Sequence, residues 1–181
     1  MTTHKFVLMD RDGVINVDSE DFIKSPEEWR PIEGSLEAIA LLNGQGYKAV
    51  VITNQSGIAR GLFDEAMLAK IHEKLHRLLA DKGGEIAAIY YCPHSPDSLC
   101  NCRKPKSGLL EQFALEKNVD LKTVFFIGDS LRDIQAAQKV GAIPLLVKTG
   151  MGEKTLINTP NLNIPVFENL YAAAEYILSE Q

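Results

Sequence analysis

The sequence lacks any long apolar run and any excess of basic residues. No stretch approaches the roughly 18 consecutive apolar residues of a membrane-spanning helix, and the first residues carry no secretory pattern. Acidic residues outnumber basic ones, 24 to 19, which gives a net charge of -5. A nucleic-acid-binding surface usually needs the opposite balance. These absences predict a cytoplasmic protein with no membrane segment and no nucleic-acid partner.

Cysteine is also scarce, with three residues in the whole chain. An odd number cannot form a fully paired disulfide framework, which favours a reducing compartment. All three cysteines nevertheless fall within residues 92–102, which we call the zinc loop. Together with His94 in the same segment they offer four soft or borderline ligands, which is the usual number for a closed, tetrahedral structural zinc site. We therefore predict Zn²⁺ bound by Cys92, His94, Cys100 and Cys102. The alternative is that the cysteines are small buried apolar residues and His94 lies on the surface.

The sequence does contain a regular alternation of strand and helix patterns. Short, β-branched apolar segments predict buried strands at residues 5–9, 47–53, 85–92, 124–127 and 143–147. Apolar stripes with helical spacing lie at residues 36–42, 68–79, 109–116, 131–140 and 170–178, with Asp64 as a helix N-cap and Gly141 as a helix end. The alternation predicts one α/β domain, residues 1–181, with a Rossmann-like parallel sheet sandwiched by helices. Ligands of such sheets bind at the carboxyl ends of the strands.

Two stretches do not fit this alternation. Residues 13–33 carry Pro26 and Pro31 and are too long for a simple turn, so we expect them to form a flap over the site. Trp29 in this flap would either contact a ligand or pack the flap onto the body, and the second role is favoured. Residues 148–165, with several Gly, Asn and Pro, predict a surface connection.

Charged residues follow the predicted strands. Asp10 and Asp12 stand two positions apart, so both side chains point the same way if the chain stays extended, and Gly13 then permits a turn. One carboxylate can attack phosphorus, and the other can transfer protons if its proton affinity is raised. Lys104 and Asp129 are candidates for the neutralising cation and for a magnesium ligand. Taken alone, Asp-x-Asp-Gly is equally consistent with an ordinary turn.

Four strings in a fixed order are more specific than any one of them. They are Asp10-Arg11-Asp12-Gly13, Thr53-Asn54, Arg103-Lys104-Pro105 and Gly128-Asp129-Ser130-Leu131-Arg132-Asp133. In this combination the chain resembles the haloacid dehalogenase superfamily of phosphatases. The resemblance implies Asp10 as nucleophile, Asp12 as general acid and base, and Thr53 and Lys104 as ligands of the transferring phosphoryl group. Mg²⁺ would be bound by Asp10, the backbone carbonyl of Asp12, and Asp129. Two roles stay open for Asp133: it either supports the metal ligands or only places a negative charge at a helix N-terminus.

The zinc loop narrows the resemblance. It is similar to the loop of the heptose 1,7-bisphosphate phosphatases and of the histidinol-phosphate phosphatase domains, which are capless. The likeness implies removal of the 7-phosphate of a heptose bisphosphate on the route to cell-surface heptose, with histidinol phosphate as the alternative substrate. The partner would be a phosphorylated sugar, and we expect a monomer. The residues that the likeness assigns to substrate binding are Asp18, Ser19, Glu20, Asp21, Asn54, Gln55, Ser56 and Arg103.

Two other functions stay open from the sequence. The string from His72 to His76 matches the H-E-x-x-H pattern of zinc proteases on a predicted helix. However, Lys70, Lys74 and Arg77 predict a solvent-exposed face there, and no third ligand follows. A zinc-dependent binding module without catalysis is the other alternative, and the complete set of carboxylates and lysine argues against it.

Overall fold

The computed structural model describes residues 5–181, which form one six-stranded sheet and its covering helices. The strands are β1 (Lys5–Met9), β2 (Tyr47–Asn54), β3 (Ile86–Cys92), β4 (Phe125–Gly128), β5 (Ile143–Val147) and β6 (Val166–Phe167). The helices are α1 (Ser35–Gly44), α2 (Glu65–Asp81), α3 (Gly108–Lys117), α4 (Leu131–Lys139), α5 (Gly152–Asn158) and α6 (Leu170–Ser179). Short 3-10 turns lie at Pro26–Glu28 and Leu121–Thr123. Within this described range, no helix is both long and apolar enough to cross a membrane.

The six strands are all parallel, in the order β3-β2-β1-β4-β5-β6. The chain order reverses at β1, which pairs with β2 on one side and with β4 on the other. Met9 at the end of β1 is level with Val51 and Ile127. The residues that follow these strands therefore emerge together, at the switch point where sheets of this kind bind ligands.

The sheet separates two apolar cores. Because successive strand residues point to opposite faces, Val7 and Met9 enter one core while Phe6 and Leu8 enter the other. The first core contains apolar residues of α1, α2 and α6, and the second contains those of α3 and α4. The rings of Phe6 and Phe113 meet edge to face in the second core, with centroids 5.2 Å apart. Helices on both faces confirm the predicted layers.

Helix boundaries follow the capping residues in the sequence. The Asp64 side chain accepts a hydrogen bond from the Met67 backbone N–H at 2.8 Å and starts α2, as predicted. Ser130 and Asp133 form a reciprocal capping box at the start of α4. Gly141 follows α4 with a φ of +74°, a conformation that favours glycine after a helix.

The flap is fastened to the body of the protein at both ends. Backbone hydrogen bonds of 2.9 Å join its two stems, from Val17 N to Arg30 O and from Ile32 N to Ile15 O. Trp29 is fully buried in the first core, so it packs the flap onto the body. Lys74 on α2 donates 2.7 Å hydrogen bonds to the carbonyl oxygens of Pro26 and Trp29.

The structure differs from the prediction in the stretch 148–165, where it places α5. This helix buries only Gly152 and Thr155, so it has no apolar stripe that a sequence pattern could reveal. The two-residue strand β6 follows and pairs with the edge of β5. The five predicted strands are confirmed, with ends that shift by at most one residue.

Candidate active site

Side chains that follow β1, β2 and β4 meet at the carboxyl edge of the sheet, around a cavity of about 340 Å³. The predicted catalytic and metal-binding residues in its lining are Asp10, Asp12, Lys104, Asp129 and Asp133. Thr53 is fully buried next to them, and its hydroxyl oxygen accepts a hydrogen bond of 2.9 Å from Gln55 Nε2. The four strings of the sequence therefore converge on one place.

Lys104 is a buried ammonium group between two carboxylates. Its Nζ lies 2.7 Å from Asp133 Oδ1 and 3.1 Å from Asp10 Oδ1, and it donates a 2.7 Å hydrogen bond to the Ile52 carbonyl oxygen. Its backbone is held by the Asn54 side chain, which accepts from its N–H at 3.0 Å and donates to its carbonyl at 3.1 Å. Burial alone would lower the pKa of Lys104, but the two carboxylates raise it, so the side chain stays charged.

Asp10 and Asp129 are carboxyl groups whose surroundings favour a cation. Burial, and then the charge of Asp133, raises the pKa of Asp10 to about 7 in spite of Lys104. Burial, then the charges of Asp133 and Asp10, raises the pKa of Asp129 to about 9. Carboxylate oxygens of all three residues lie within 4.8 Å of one another. Magnesium takes oxygen ligands, so this donor set fits Mg²⁺, whose charge would hold the carboxyls ionised.

Asp133 has less freedom than the other two carboxylates. Its Oδ2 accepts hydrogen bonds from the backbone N–H groups of Asp129 and Ser130, both at 3.2 Å, and from the Ser130 hydroxyl at 3.0 Å. Its Oδ1 pairs with Lys104. Burial would raise the pKa of Asp133, but Lys104 and these hydrogen bonds lower it. Asp133 therefore caps α4 and pairs with Lys104, while its supporting role beside a metal ion stays a prediction.

Asp12 is an anchored carboxylate. Its Oδ1 receives hydrogen bonds from Arg11 Nε at 2.9 Å and Asn16 Nδ2 at 2.8 Å, and its Oδ2 receives one from Gln55 Nε2 at 3.1 Å. Burial would raise the pKa of Asp12, but Arg11 and these hydrogen bonds together lower it. The raised proton affinity that proton transfer requires is thus not found in the free site. A phosphate dianion bound beside Asp12 would raise its pKa.

Two glycines let the backbone close around Asp129. Gly13 has a φ of +82°, and a Cβ there would lie 2.0 Å from Asp129 Oδ2. A Cβ on Gly150 would lie 2.3 Å from the same oxygen and 2.5 Å from the Gly13 Cα. The Met151 backbone N–H donates to that oxygen at 2.8 Å. The stretch predicted only as a surface connection therefore also forms part of the site, and its glycines are the local signal.

The cavity mouth combines predicted and unpredicted residues. Those predicted for substrate binding that line it are Asp18, Ser19, Asn54, Gln55, Ser56 and Arg103. Glu20 lines an adjoining depression instead, and Asp21 lines neither, so the acidic stretch contributes less than expected. Phe22, Arg60 and Arg132 join the lining, and the Arg60 guanidinium lies 5.4 Å from the Phe22 ring centroid. Burial lowers the pKa of Arg103, and Arg132 and Arg60 lower it further, so this acidic chain has a local positive mouth.

The zinc loop brings its four predicted ligands together. Their ligand atoms all lie within 4.8 Å of one another. Sγ of Cys92 is 3.4 Å from His94 Nδ1, 3.8 Å from Cys100 Sγ and 3.0 Å from Cys102 Sγ. Tetrahedral zinc with Zn–S bonds of about 2.3 Å needs sulfur atoms roughly 3.8 Å apart; the pair Cys92 and Cys100 meets this distance, whereas Cys92 and Cys102 would have to move apart. All three cysteines are free thiols, and burial raises the pKa of Cys92 to about 12, so its ionisation calls for a metal charge.

Known proteins resemble the chain over nearly its whole length. Residues 101–173 match the HAD-hydrolase-like family model. A D-glycero-beta-D-manno-heptose-1,7-bisphosphate 7-phosphatase of Pseudomonas aeruginosa is 48% identical over 176 residues, which cover 97% of this chain and 99% of that protein. The protein of the same name from Bordetella bronchiseptica is 51% identical over 180 residues, with 97% and 99% covered. The chain belongs to the heptose-1,7-bisphosphate 7-phosphatase family.

A solved structure of this phosphatase family has the same fold. The D,D-heptose 1,7-bisphosphate phosphatase from B. bronchiseptica, in complex with magnesium and phosphate, has a TM-score of 0.95 at 50% identity. The match covers 98% of this chain and 99% of that one. The predicted haloacid dehalogenase-type fold is therefore confirmed.

The H-E-x-x-H string does not form a protease site in this member of the heptose bisphosphate phosphatase family. His72 is 8% exposed, and its Nε2 lies 3.1 Å from Arg11 Nη1, whereas His76 is exposed. Among residues 5–181, the groups that could hold a metal ion are the zinc loop and the cluster around Asp10. The predicted exposed face is wrong for His72, because that side chain turns inward to meet Arg11.

Proposed function

We propose that this protein removes the phosphate on carbon 7 of D-glycero-D-manno-heptose 1,7-bisphosphate through an aspartyl-phosphate intermediate. The observation that carries the proposal is the convergence of Asp10, Asp12, Lys104 and Asp129 on one cavity, in a chain about half identical to relatives of that name. Those relatives also make histidinol phosphate the weaker candidate substrate. The thiol-rich zinc loop favours a reducing compartment, which supports a cytoplasmic location.

Asp10 is the proposed nucleophile. Its carboxylate oxygen attacks the phosphorus, and the bond from phosphorus to the sugar oxygen breaks as the new bond forms. Asp12 gives a proton to the departing sugar oxygen and then takes one from the water that attacks the aspartyl phosphate. The second attack breaks the bond between Asp10 and phosphorus and releases inorganic phosphate. Both carboxyl groups are thereby restored.

Positive charge around the phosphoryl group comes from Lys104 and from Mg²⁺. Asp10, Asp129 and the backbone carbonyl of Asp12 would hold the metal, and bound there it neutralises charge on the phosphoryl oxygens. Lys104 is fixed by three contacts before substrate arrives, so it needs little reorganisation in the transition state. The Thr53 hydroxyl and the backbone at the end of β2 complete the binding site of the phosphoryl group.

The cavity mouth is proposed to select the sugar and its second phosphate. Asn54, Gln55 and Ser56 lie where they can contact the heptose, and Asp18 and Ser19 of the flap can accept or donate hydrogen bonds to its hydroxyls. Arg103 follows the zinc loop directly and lines the same cavity. Together with Arg60 and Arg132 it offers charge for the phosphate that is retained.

The zinc loop is proposed to have a structural part in this reaction. With four protein ligands it leaves no open position for water, so zinc would fix the loop and take no chemical step. Cys102 is followed directly by Arg103 and Lys104. A loop fixed by metal thus fixes the backbone that presents both cations.

Phosphate release from two substrates tests this function. The purified chain with magnesium is expected to hydrolyse heptose 1,7-bisphosphate much faster than histidinol phosphate. Asp10→Asn is expected to abolish release while substrate binding stays measurable by calorimetry, and Asp64→Asn, at the N-cap of α2, is the matched control. A preference for histidinol phosphate would overturn the substrate, and unchanged turnover in Asp10→Asn would overturn the mechanism.

A further inference from the structure

Arg11 stands between the catalytic carboxylates in the sequence, yet its side chain points away from the cavity into the protein. It is 0% exposed, and it is missing from the cavity lining. A buried guanidinium needs partners for its charge and its N–H groups. Its Nε and Nη2 lie 2.9 Å and 2.8 Å from the same oxygen, Asp12 Oδ1, and its Nη1 lies 3.1 Å from His72 Nε2.

His72 supplies the acceptor at the far end of this guanidinium. Arginine can only donate hydrogen bonds, so the Nε2 of His72 accepts and the ring proton sits on Nδ1. Burial, and then the charge of Arg11, lowers the pKa of His72 to about 3, which keeps the ring neutral and able to accept. The ring is carried by the middle of α2, the helix that also holds the flap through Lys74.

The contacts with Arg11 make the surroundings of the two carboxylate oxygens of Asp12 different. Oδ1 is in contact with Nε and Nη2 of Arg11 and with Asn16 Nδ2. From the described part of the chain, Oδ2 accepts one hydrogen bond, from Gln55 Nε2 at 3.1 Å, and Gln55 itself lines the cavity. Oδ1 accepts two hydrogen bonds and also lies against the charged Nη2 group, so it has little room for a proton, and the proton to be transferred belongs on Oδ2. The orientation of the carboxylate then decides whether that proton reaches the leaving oxygen.

We infer that His72 is a positioning residue, which acts through Arg11 to aim Oδ2 of Asp12 at the leaving oxygen of the substrate. This inference rests on the proposed phosphatase function. The guanidinium plane is fixed at both ends, by Asp12 on one side and by His72 on the other. Without the acceptor at Nη1, Arg11 can rotate toward water or another acceptor and carry the Asp12 carboxylate with it.

Two substrates with different leaving groups distinguish a positioning role of His72 from a role in protein stability alone. A sugar alkoxide departs only with a proton, whereas p-nitrophenolate departs readily without one. Misaligned Asp12 is therefore expected to slow hydrolysis of the sugar ester while p-nitrophenyl phosphate is largely spared. Unfolded molecules contribute to neither rate, so the ratio of the two kcat/KM values does not depend on the folded fraction.

The experiment compares three variants with the unmodified protein, all saturated with magnesium. In His72→Leu the ratio of kcat/KM for heptose bisphosphate to that for p-nitrophenyl phosphate is expected to fall about 10-fold to 100-fold, the usual range for a lost supporting contact. His72→Gln keeps an acceptor oxygen and is expected to restore most of the ratio. His76→Leu, one turn further along α2 at an exposed position, is expected to leave the ratio unchanged.

The outcomes distinguish this inference from the proposed function. A ratio that stays within twofold in His72→Leu would overturn the positioning role, whether both rates are high or both are low. If no folded His72→Leu is recovered, Arg11→Lys keeps the charge but loses the fork, and the same fall in the ratio is required of it. An unmodified protein that hydrolyses neither ester would instead refute the phosphatase function itself.

Discussion

Replacing Lys104 with methionine is expected to destabilise the folded protein as well as to abolish phosphatase activity. The Lys104 ammonium group contacts Asp133 at 2.7 Å and Asp10 at 3.1 Å, and its side chain is 2% exposed. Methionine fills a similar volume without the charge. The two carboxylates would then face each other in a buried site without their shared cation.

The size of the effect follows from this burial. Removing one partner of a buried ion pair typically costs about 3–5 kcal/mol, because the remaining charge is left uncompensated. For a chain of this length, each kcal/mol lowers Tm by about 2–4 °C, so the expected decrease is roughly 6–20 °C. Magnesium would recover part of the loss, because it binds the folded state beside the same carboxylates.

Thermal and urea denaturation, measured with and without magnesium, provide the assay. Lys70→Met, at an exposed position of α2, is the matched control and is expected to change stability by less than about 0.5 kcal/mol. Adding Asp133→Asn to Lys104→Met removes one unpaired charge and is expected to recover stability. A loss below about 1 kcal/mol, as for an exposed pair, would refute the reasoning that Lys104 compensates these carboxylates.

Two further perturbations test the metal sites. Cys102→Ser is expected to lose zinc, as measured by native mass spectrometry, and to have a lower Tm. Its kcat/KM is also expected to fall, because Arg103 and Lys104 directly follow this ligand. Leu99→Ala is the control, since Leu99 lies in the same loop and is 97% exposed. Full activity of a zinc-free variant would contradict this. Gly13→Ala places a Cβ 2.0 Å from Asp129 Oδ2 and is expected to lower magnesium affinity and activity by more than about 100-fold, as measured by calorimetry and phosphate release. Gly46 has a similar positive φ of +86°, and a Cβ there would meet no atom of residues 5–181 within 4 Å, so Gly46→Ala is the control. Equal losses in both variants would implicate backbone strain alone.

The residues at the strand ends could be predicted from the sequence because their signals are local. Asp10 and Asp129 each follow a short apolar run, and a parallel sheet brings such positions to one edge. The zinc ligands likewise lie within one short loop. A motif that directly follows a strand therefore has a predictable place, at the end of that strand.

Contacts between distant segments could not be predicted in this way. Arg11 and His72 are separated by 61 positions, and the bond from Lys104 to the Ile52 carbonyl spans 52. The pattern of α2 does not distinguish a histidine that meets a buried guanidinium from one that faces water. The direction of Glu20 and Asp21 depends on the irregular flap backbone, in which Phe22 adopts a φ of +66°, a conformation that no sequence pattern announces.

The double attachment of the flap bears on how product departs. Trp29 lies in the core and hydrogen bonds join the stems, so the flap is tied to the body of the protein, and residues 17–21 are its exposed part near the cavity. In enzymes with a hinged lid, reopening often sets the pace of turnover. The sugar product would leave directly from Arg60, Arg103 and Arg132 at the cavity mouth, so we expect its release to become faster as ionic strength rises.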